Sequence, residues 1–327
     1  MRSSFDNSSI TEQWHSGYRL VGSATGSQTK IDTTHAHLCC IIFMSWNPYR
    51  LRIAIYCIKF SGTIQMRLLM TKENDAATNM AIDEAIFSSQ KSDSRPTLRF
   101  YDWSSTAFSF GYFQRIFEEI NPSECDDLGI DLVRRITGGG TVIHGWDVTF
   151  SAIFPKTELD VGLPSGISAG YQVISDSITR GLREIGIEVN QYGRSLDSSL
   201  PNICITNPAK YDVMINGSKI AGIAQRRNSV GLLFQAYVAL DIPSHDILAM
   251  ISKKHDCEQV VQMKATSINQ HQSRRFLRTE IEETIQRGFE KILGLGLAED
   301  KLAPKEMEMA EQLFKTKYST ESWNFRR

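Results

Sequence analysis

Apolar residues recur at helical spacing in several stretches of the chain. Behind Asn74 and Asp75, either of which can cap a helix, Ala77, Met80, Ala81 and Ala85 fall on one stripe with Asp83 and Glu84 outside it. This predicts a helix through about Ser88. A second runs from about Ser168 to Ile185, with Tyr171, Ile174, Ile178, Leu182 and Ile185 on its apolar stripe. Two more close the chain, at about Thr279–Leu293 and Pro304–Tyr318, the latter with proline in its first turn, where no amide donor is missed. Short strand-like runs lie between: Leu98–Tyr101, Ala107–Tyr112 and Asp131–Arg134. Val148, Phe150, Ala152 and Phe154 alternate with Asp147, Thr149 and Ser151, the period of a half-buried strand.

The sharpest local signal is Asn216-Gly217, the pair that best tolerates the positive φ angles of a two-residue type I′ hairpin. That turn sets Ile215 opposite Ser218, Met214 opposite Lys219 and Val213 opposite Ile220. Lys219 then shares a sheet face with Met214 and, diagonally, with Asp212. Gln225-Arg226-Arg227 reads as a basic link to a further strand, Gly231–Asp241. Strands mixed with flanking helices predict an α+β (α/β) domain with a mainly antiparallel or mixed sheet.

Residues 1–65 read differently. Ser, Thr, Asn and Gly are scattered through residues 3–34, and the apolar piece after them has no amphipathic period. They are expected to be an unstructured or non-native extension before a domain at 66–327. The apolar stretch Leu38–Phe60 is broken by Pro48, Arg50, Arg52 and Lys59 and makes a poor membrane span. With 36 Lys+Arg against 37 Asp+Glu, bulk electrostatics do not point to nucleic acid. Neither a membrane nor a nucleic-acid partner is expected. The six cysteines form no C-x-x-C pair, which argues against a structural zinc site or disulfide scaffold and for the cytoplasm; no metal site is expected.

Three places can carry chemistry. In Arg134-Arg135-Ile-Thr137-Gly138-Gly139-Gly140, with His144 beyond, glycines let backbone amides approach a ligand and arginines offer forks for a carboxylate or phosphate. A glycine-rich turn with solvated arginines is the plain alternative. No Lys-Ser/Thr follows, so this is not a phosphate loop. Cys204 sits in a polar, proline-bounded loop before the hairpin, where cations nearby in sequence would raise its thiolate fraction; a buried small hydrophobe is the alternative. Lys219 lies on a strand, as a chemical amine or a snorkelling surface side chain.

Taken in order, these segments resemble the lipoate–protein ligase A and octanoyltransferase family, whose catalytic domain is related to biotin protein ligase. The resemblance rests on Asn79-Met80-Ala81-Ile82-Asp83-Glu84-Ala85, Arg99-Phe100-Tyr101, Gly111-Tyr112-Phe113-Gln114 and the Arg-Arg-x-Thr-Gly-Gly-Gly segment with His144. It continues through Tyr211-Asp212, Lys219-Ile-Ala-Gly222-Ile-Ala224-Gln225-Arg226-Arg227, Lys317-Tyr318 and Trp323-Asn324. Within the family the chain is most similar to the cysteine-dependent octanoyltransferases that act on acyl carrier protein.

The resemblance implies Cys204 as nucleophile and Lys219 beside the acyl carbonyl. It implies that Arg134, Arg135, Thr137, Gly138, Gly139, Gly140, His144, Gly222, Ala224 and Gln225 bind the acyl substrate. It further implies acyl carrier protein as donor and, as acceptors, lipoyl-domain proteins such as the glycine cleavage H protein or 2-oxoacid dehydrogenase E2 subunits, with no cofactor. The runner-up is an ATP- and Mg-dependent lipoate ligase forming a lipoyl-adenylate. Such ligases usually continue into an accessory domain after a Trp-Asn segment, whereas three residues follow Trp323-Asn324 here. A cysteine-dependent amidotransferase moving acyl groups between two lipoyl domains is a close variant, and a non-catalytic carrier-domain binder is the third reading. The family pattern is broken at Gly145, Ile223 and Gln235-Ala236-Tyr237-Val238, which bears on acyl length and acceptor identity.

Overall fold

The computed structural model describes residues 38–47, 50–59, 65–156, 166–193, 208–254 and 264–326. The chain divides into two units, 1–63 and 64–327. In the first, β1 (Leu38–Asn47) and β2 (Arg50–Lys59) pair antiparallel, from Asn47 opposite Arg50 to Leu38 opposite Lys59. Periodicity predicts no element there, because a ladder made by backbone groups needs no amphipathic alternation.

The second unit opens with β3 (Gln65–Asn74), α1 (Ala76–Ser88), β4 (Thr97–Trp103) and β5 (Ala107–Phe110). Short helices α2 (Ile116–Glu119) and α3 (Pro122–Asp127) lead to β6 (Asp131–Arg134), β7 (Val142–His144) and β8 (Asp147–Pro155). Next come α4 (Ile167–Glu184), β9 (Asn190–Gln191), β10 (Val213–Ile215), β11 (Ser218–Arg227), β12 (Gly231–Ala239) and α5 (His245–Lys254). The last elements are α6 (Arg278–Leu293), β13 (Gly296–Glu299), α7 (Pro304–Leu313), a π-helical turn (Phe314–Tyr318) and α8 (Glu321–Asn324).

Among the described residues eight strands make one mixed sheet in the order β13-β3-β4-β8-β12-β11-β10-β9, parallel at its β13-β3-β4 end and antiparallel beyond. One face is apolar: Phe100, Phe150, Phe234 and Val238 pack on Ile174, Ile178 and Leu182 of α4 and on Ile281, Ile285 and Phe289 of α6. The other carries α1, whose Met80, Ala81 and Ala85 cluster with Tyr101, Ile153 and Leu233. A separate sheet, β6-β5-β7, carries the segment that leads into the glycines. The α/β architecture with a mixed sheet is the one the pattern predicts.

Three local expectations are corrected. β8 is buried along its whole length, not on one face, because helices cover one side and α1 with its polar partners the other. Asp83 lies inside, not outside, the apolar stripe of α1 and is fully buried, its charge met by an arginine on the next strand. Residues 225–227 are the end of β11, not a link, paired with Phe234, Leu233 and Leu232.

The Asn216-Gly217 turn has φ of 49° and 83°, as the dipeptide predicts. Ile215 pairs with Ser218 and Met214 with Lys219, but a bulge then sets Val213 opposite Ala221, not Ile220. The closing helix stops at Leu313 and loosens into the π-helical turn that seats Lys317 and Tyr318 against α1.

Candidate active site

The polar side of the sheet is organised from α1. Asp75 caps the helix by accepting from the Thr78 amide at 2.8 Å. Two turns on, the Asp83 carboxylate accepts from Arg99 (2.6 Å), Ser151 (2.7 Å), Gln235 (2.8 Å) and Tyr101 (3.2 Å). Four donors on one carboxylate make its burial tolerable. Gln235 passes the arrangement on, its side-chain oxygen accepting from the Thr137 hydroxyl at 2.7 Å. A helix residue thus positions the start of the glycine segment.

Both arginines before the glycines are turned onto backbone. Arg134, fully buried, donates to the carbonyls of Gly111, Tyr112 and Gln114 on one side and of Trp323, Asn324 and Arg326 on the other. Arg135 donates to the carbonyls of Ser109, Gly138 and Gly140 and, at 2.6 Å, to the Ser109 hydroxyl. The glycine loop is therefore held from beneath by a cation, and Gly139 packs directly on Gly111, where a Cβ would sit 1.9 Å from the Gly139 carbonyl oxygen.

His144 is buried and stacked on Trp103, with ring centroids 4.0 Å apart. Its Nε2 lies 2.7 Å from the Ser109 hydroxyl and its Nδ1 2.9 Å from Asp147. Arg135 only donates, so Ser109 accepts there and its own proton is available to Nε2, leaving Nδ1–H to donate to Asp147 in the neutral ring. Burial works to raise the Asp147 carboxyl, but His144, the Thr149 hydroxyl and Arg278 together hold it below the usual carboxylate range.

The Lys219 amine lies 2.7 Å from Asp212, both side chains nearly fully buried. Burial pushes the Asp212 carboxyl up, against the pull of Lys219 and the amides of Ala209 and Ile223. Lys219 lies over Gly222: a Cβ there would come 2.9 Å from Nζ and 2.7 Å from the Tyr237 ring. The lysine end can swing aside, but the buried Tyr237 ring cannot give way without cost, so the amine loses its place and the sheet is overpacked. Gly222→Ala is expected to melt below the parent temperature and to lose about 100-fold in kcat, the scale for a misplaced group. Thermal melts beside steady-state transfer rates check this.

Two apolar cavities adjoin here. One is lined by Lys219, Ile143, Trp146, Ala239 and Pro243. The other lies under the loop and is lined by Arg135, Gly139, Gly140, His144, Gly222 and Ala224. These six predicted residues thus share one cavity, and Lys219 opens into its neighbour. Arg134, Thr137 and Gly138 stand behind the loop, not on its cavity side. Gln225 pairs with Phe234 on the apolar face of the sheet, and its buried amide has no partner among the described residues.

Cys204, the predicted nucleophile, lies outside the described residues. The described Cys125 is buried, and burial with Glu124 beside it pushes its thiol up to about 12, which suits no nucleophile. The sequence does not single out Ser109 and Trp103, which touch the same cavity, as does Tyr237 of the Gln235–Val238 departure. Ser109 pairs with Val133 on the neighbouring strand β6, a relation that no local spacing reveals. Among the described residues no three His, Cys, Asp or Glu side chains converge as a metal site requires.

A family model described as the lipoyl protein ligase A/B catalytic domain matches residues 75–290. The chain is 32% identical over 279 residues to the octanoyltransferase LipM of Brevibacillus brevis, covering 80% of this chain and 99% of that one. Among solved structures, lipoate-protein ligase A bound with ATP superposes with a TM-score of 0.68 at 28% identity, covering 80% of this chain and 98% of the other. A bipartite lipoate protein ligase from Thermoplasma acidophilum, described with its E2 lipoyl domain, gives 0.66 at 25% identity, over 80% and 95%. The chain belongs to the lipoyl protein ligase A/B catalytic family.

Proposed function

We propose that this octanoyltransferase serves lipoate assembly through a covalent intermediate on Cys204, within a catalytic domain at 66–327 that the first 65 residues precede as a separate extension. The Cys204 thiolate attacks the octanoyl thioester of acyl carrier protein, the C–S bond to the carrier breaks, and the carrier thiolate leaves. One thioester replaces another, so the step is nearly even in energy. The lysine amine of a lipoyl domain then attacks the acyl-enzyme, losing a proton as the cysteine sulfur leaves, and the amide formed makes this step downhill. No ATP is consumed, and two large partners need not occupy the site together.

The observation that carries this reading is the buried Lys219–Asp212 pair at the edge of an apolar cavity. An ammonium held there polarises an acyl carbonyl while the chain lies against Ile143, Trp146 and Pro243. Backbone amides near Gly222 and Gly138–Gly140 are the candidate oxyanion donors. Acceptors are lipoyl domains, as the E2 lipoyl domain described with the Thermoplasma acidophilum ligase suggests. Among the described residues no helix is long and apolar enough to cross a membrane, and a cytoplasmic setting goes with the reading.

Intact mass spectrometry after mixing with octanoyl-acyl carrier protein tests it. An added octanoyl group, labile to hydroxylamine and absent in Cys204→Ser, is the expected result; no adduct on the parent protein would overturn it. The ATP-bound ligase among the structural neighbours keeps a second reading open to the same samples: pyrophosphate release that requires both ATP and free lipoate would make the chain a ligase.

A further inference from the structure

Tyr237 stands where the two cavities meet. It and Val142 line both of them. The ring lies directly across the ladder from Gly222, occupying the space that a Cβ there would need. The Lys219 amine is 5.9 Å from the ring centroid, so one aromatic side chain borders the amine on one side and the glycine-loop cavity on the other. It is 7% exposed and packed in place. Because Tyr237 and Val142 border both spaces, an acyl group whose carbonyl is polarised by Lys219 passes them on its way to the space under Gly139 and Gly140.

We propose that Tyr237 and Val142 form the neck of the acyl channel, and that the Tyr237 ring sets the length of linear acyl chain the enzyme accepts. This rests on the acyl-transfer reading above and goes beyond it by assigning the chain-length limit to two residues, one on β12 and one on β7. Removing the ring joins the two spaces, and each further methylene that leaves water then strengthens binding several-fold.

Octanoyl and dodecanoyl thioesters are compared as donors for the parent, Tyr237→Ala and Val142→Ala, with Tyr237→Phe as the variant that keeps the ring. Displacement of a fluorescent fatty acid by octanoate and dodecanoate is measured on the same proteins and involves no transfer step. The dodecanoyl-to-octanoyl ratio is expected to rise at least about tenfold in both alanine variants and to stay at the parent value in Tyr237→Phe. Ratios within twofold of the parent in both alanine variants overturn the neck. Should Tyr237→Ala not fold, Val142→Ala, which borders the same two cavities, decides alone. Length-shifted fatty-acid binding without transfer by any protein upholds the neck and sinks the transferase reading. Transfer with an unshifted length preference does the reverse.

Discussion

A Cys204→Ala protein is expected to modify a lipoyl domain at about a thousandth of the parent rate or less. Removing a covalent nucleophile takes away a whole reaction path, so its effect is far larger than that of a lost contact. Without the sulfur, the acceptor lysine must attack the carrier thioester directly, with both proteins seated at once and no acyl-enzyme to separate the encounters. Lys219 and the glycine loop would remain to bind and polarise the acyl group, so octanoate displacement of a fluorescent fatty acid should be close to parental. Single-turnover transfer followed by mass spectrometry, beside that binding measurement, separates the two effects. Parental transfer by Cys204→Ala would remove cysteine chemistry from the account and leave direct attack of the acceptor lysine on the carrier thioester.

The second large effect concerns stability. Asp83→Ala is expected to cost about 3–5 kcal/mol, the scale for breaking a buried ion pair from one side. Arg99 would keep its charge in a site where it is 0% exposed, and Tyr101, Ser151 and Gln235 would each lose an acceptor. The double variant Asp83→Ala/Arg99→Met should be less destabilised than Asp83→Ala alone, since the stranded charge is gone. Urea midpoints for both single variants and the double one check this; a double variant as weak as the sum of the singles would contradict it. Gln235 freed from Asp83 also loosens its hold on Thr137, so the destabilised protein should bind acyl groups poorly even well below its melting temperature.

What the sequence made legible follows the range of each interaction. The Asn216-Gly217 turn was readable because its geometry is decided by two adjacent residues. The pairing beyond it was readable only as far as Met214–Lys219, since the bulge at Val213 arises from the sheet around it and leaves no mark in the residues themselves. Lys219 beside Asp212 survived that slip because both were assigned to one face. Asp83 was misread because a charge on a helix looks solvated until its counter-charge is known, and Arg99 is on another element. The arginine pair was legible as important but not in its role: six carbonyls, half of them from residues 323–326, absorb Arg134. His144 is visible as a chemical residue type, whereas its partners Ser109 and Trp103 come from strands that meet it only in three dimensions.

The grip of Arg134 on residues 323–326 spans about 190 positions of chain, the separations running from 189 to 192. On a ribosome, nearly the whole domain must emerge before these bonds can close. Until then the carbonyls of Trp323, Asn324 and Arg326 are missing, and a buried guanidinium waits half-solvated under the Gly111–Gln114 turn. Contacts of such wide separation are slow to form, because loop closure must come first. The Gly111–Gln114 turn therefore gains this part of its support only after residues 323–326 have been made, later in synthesis than the described strands of the large sheet.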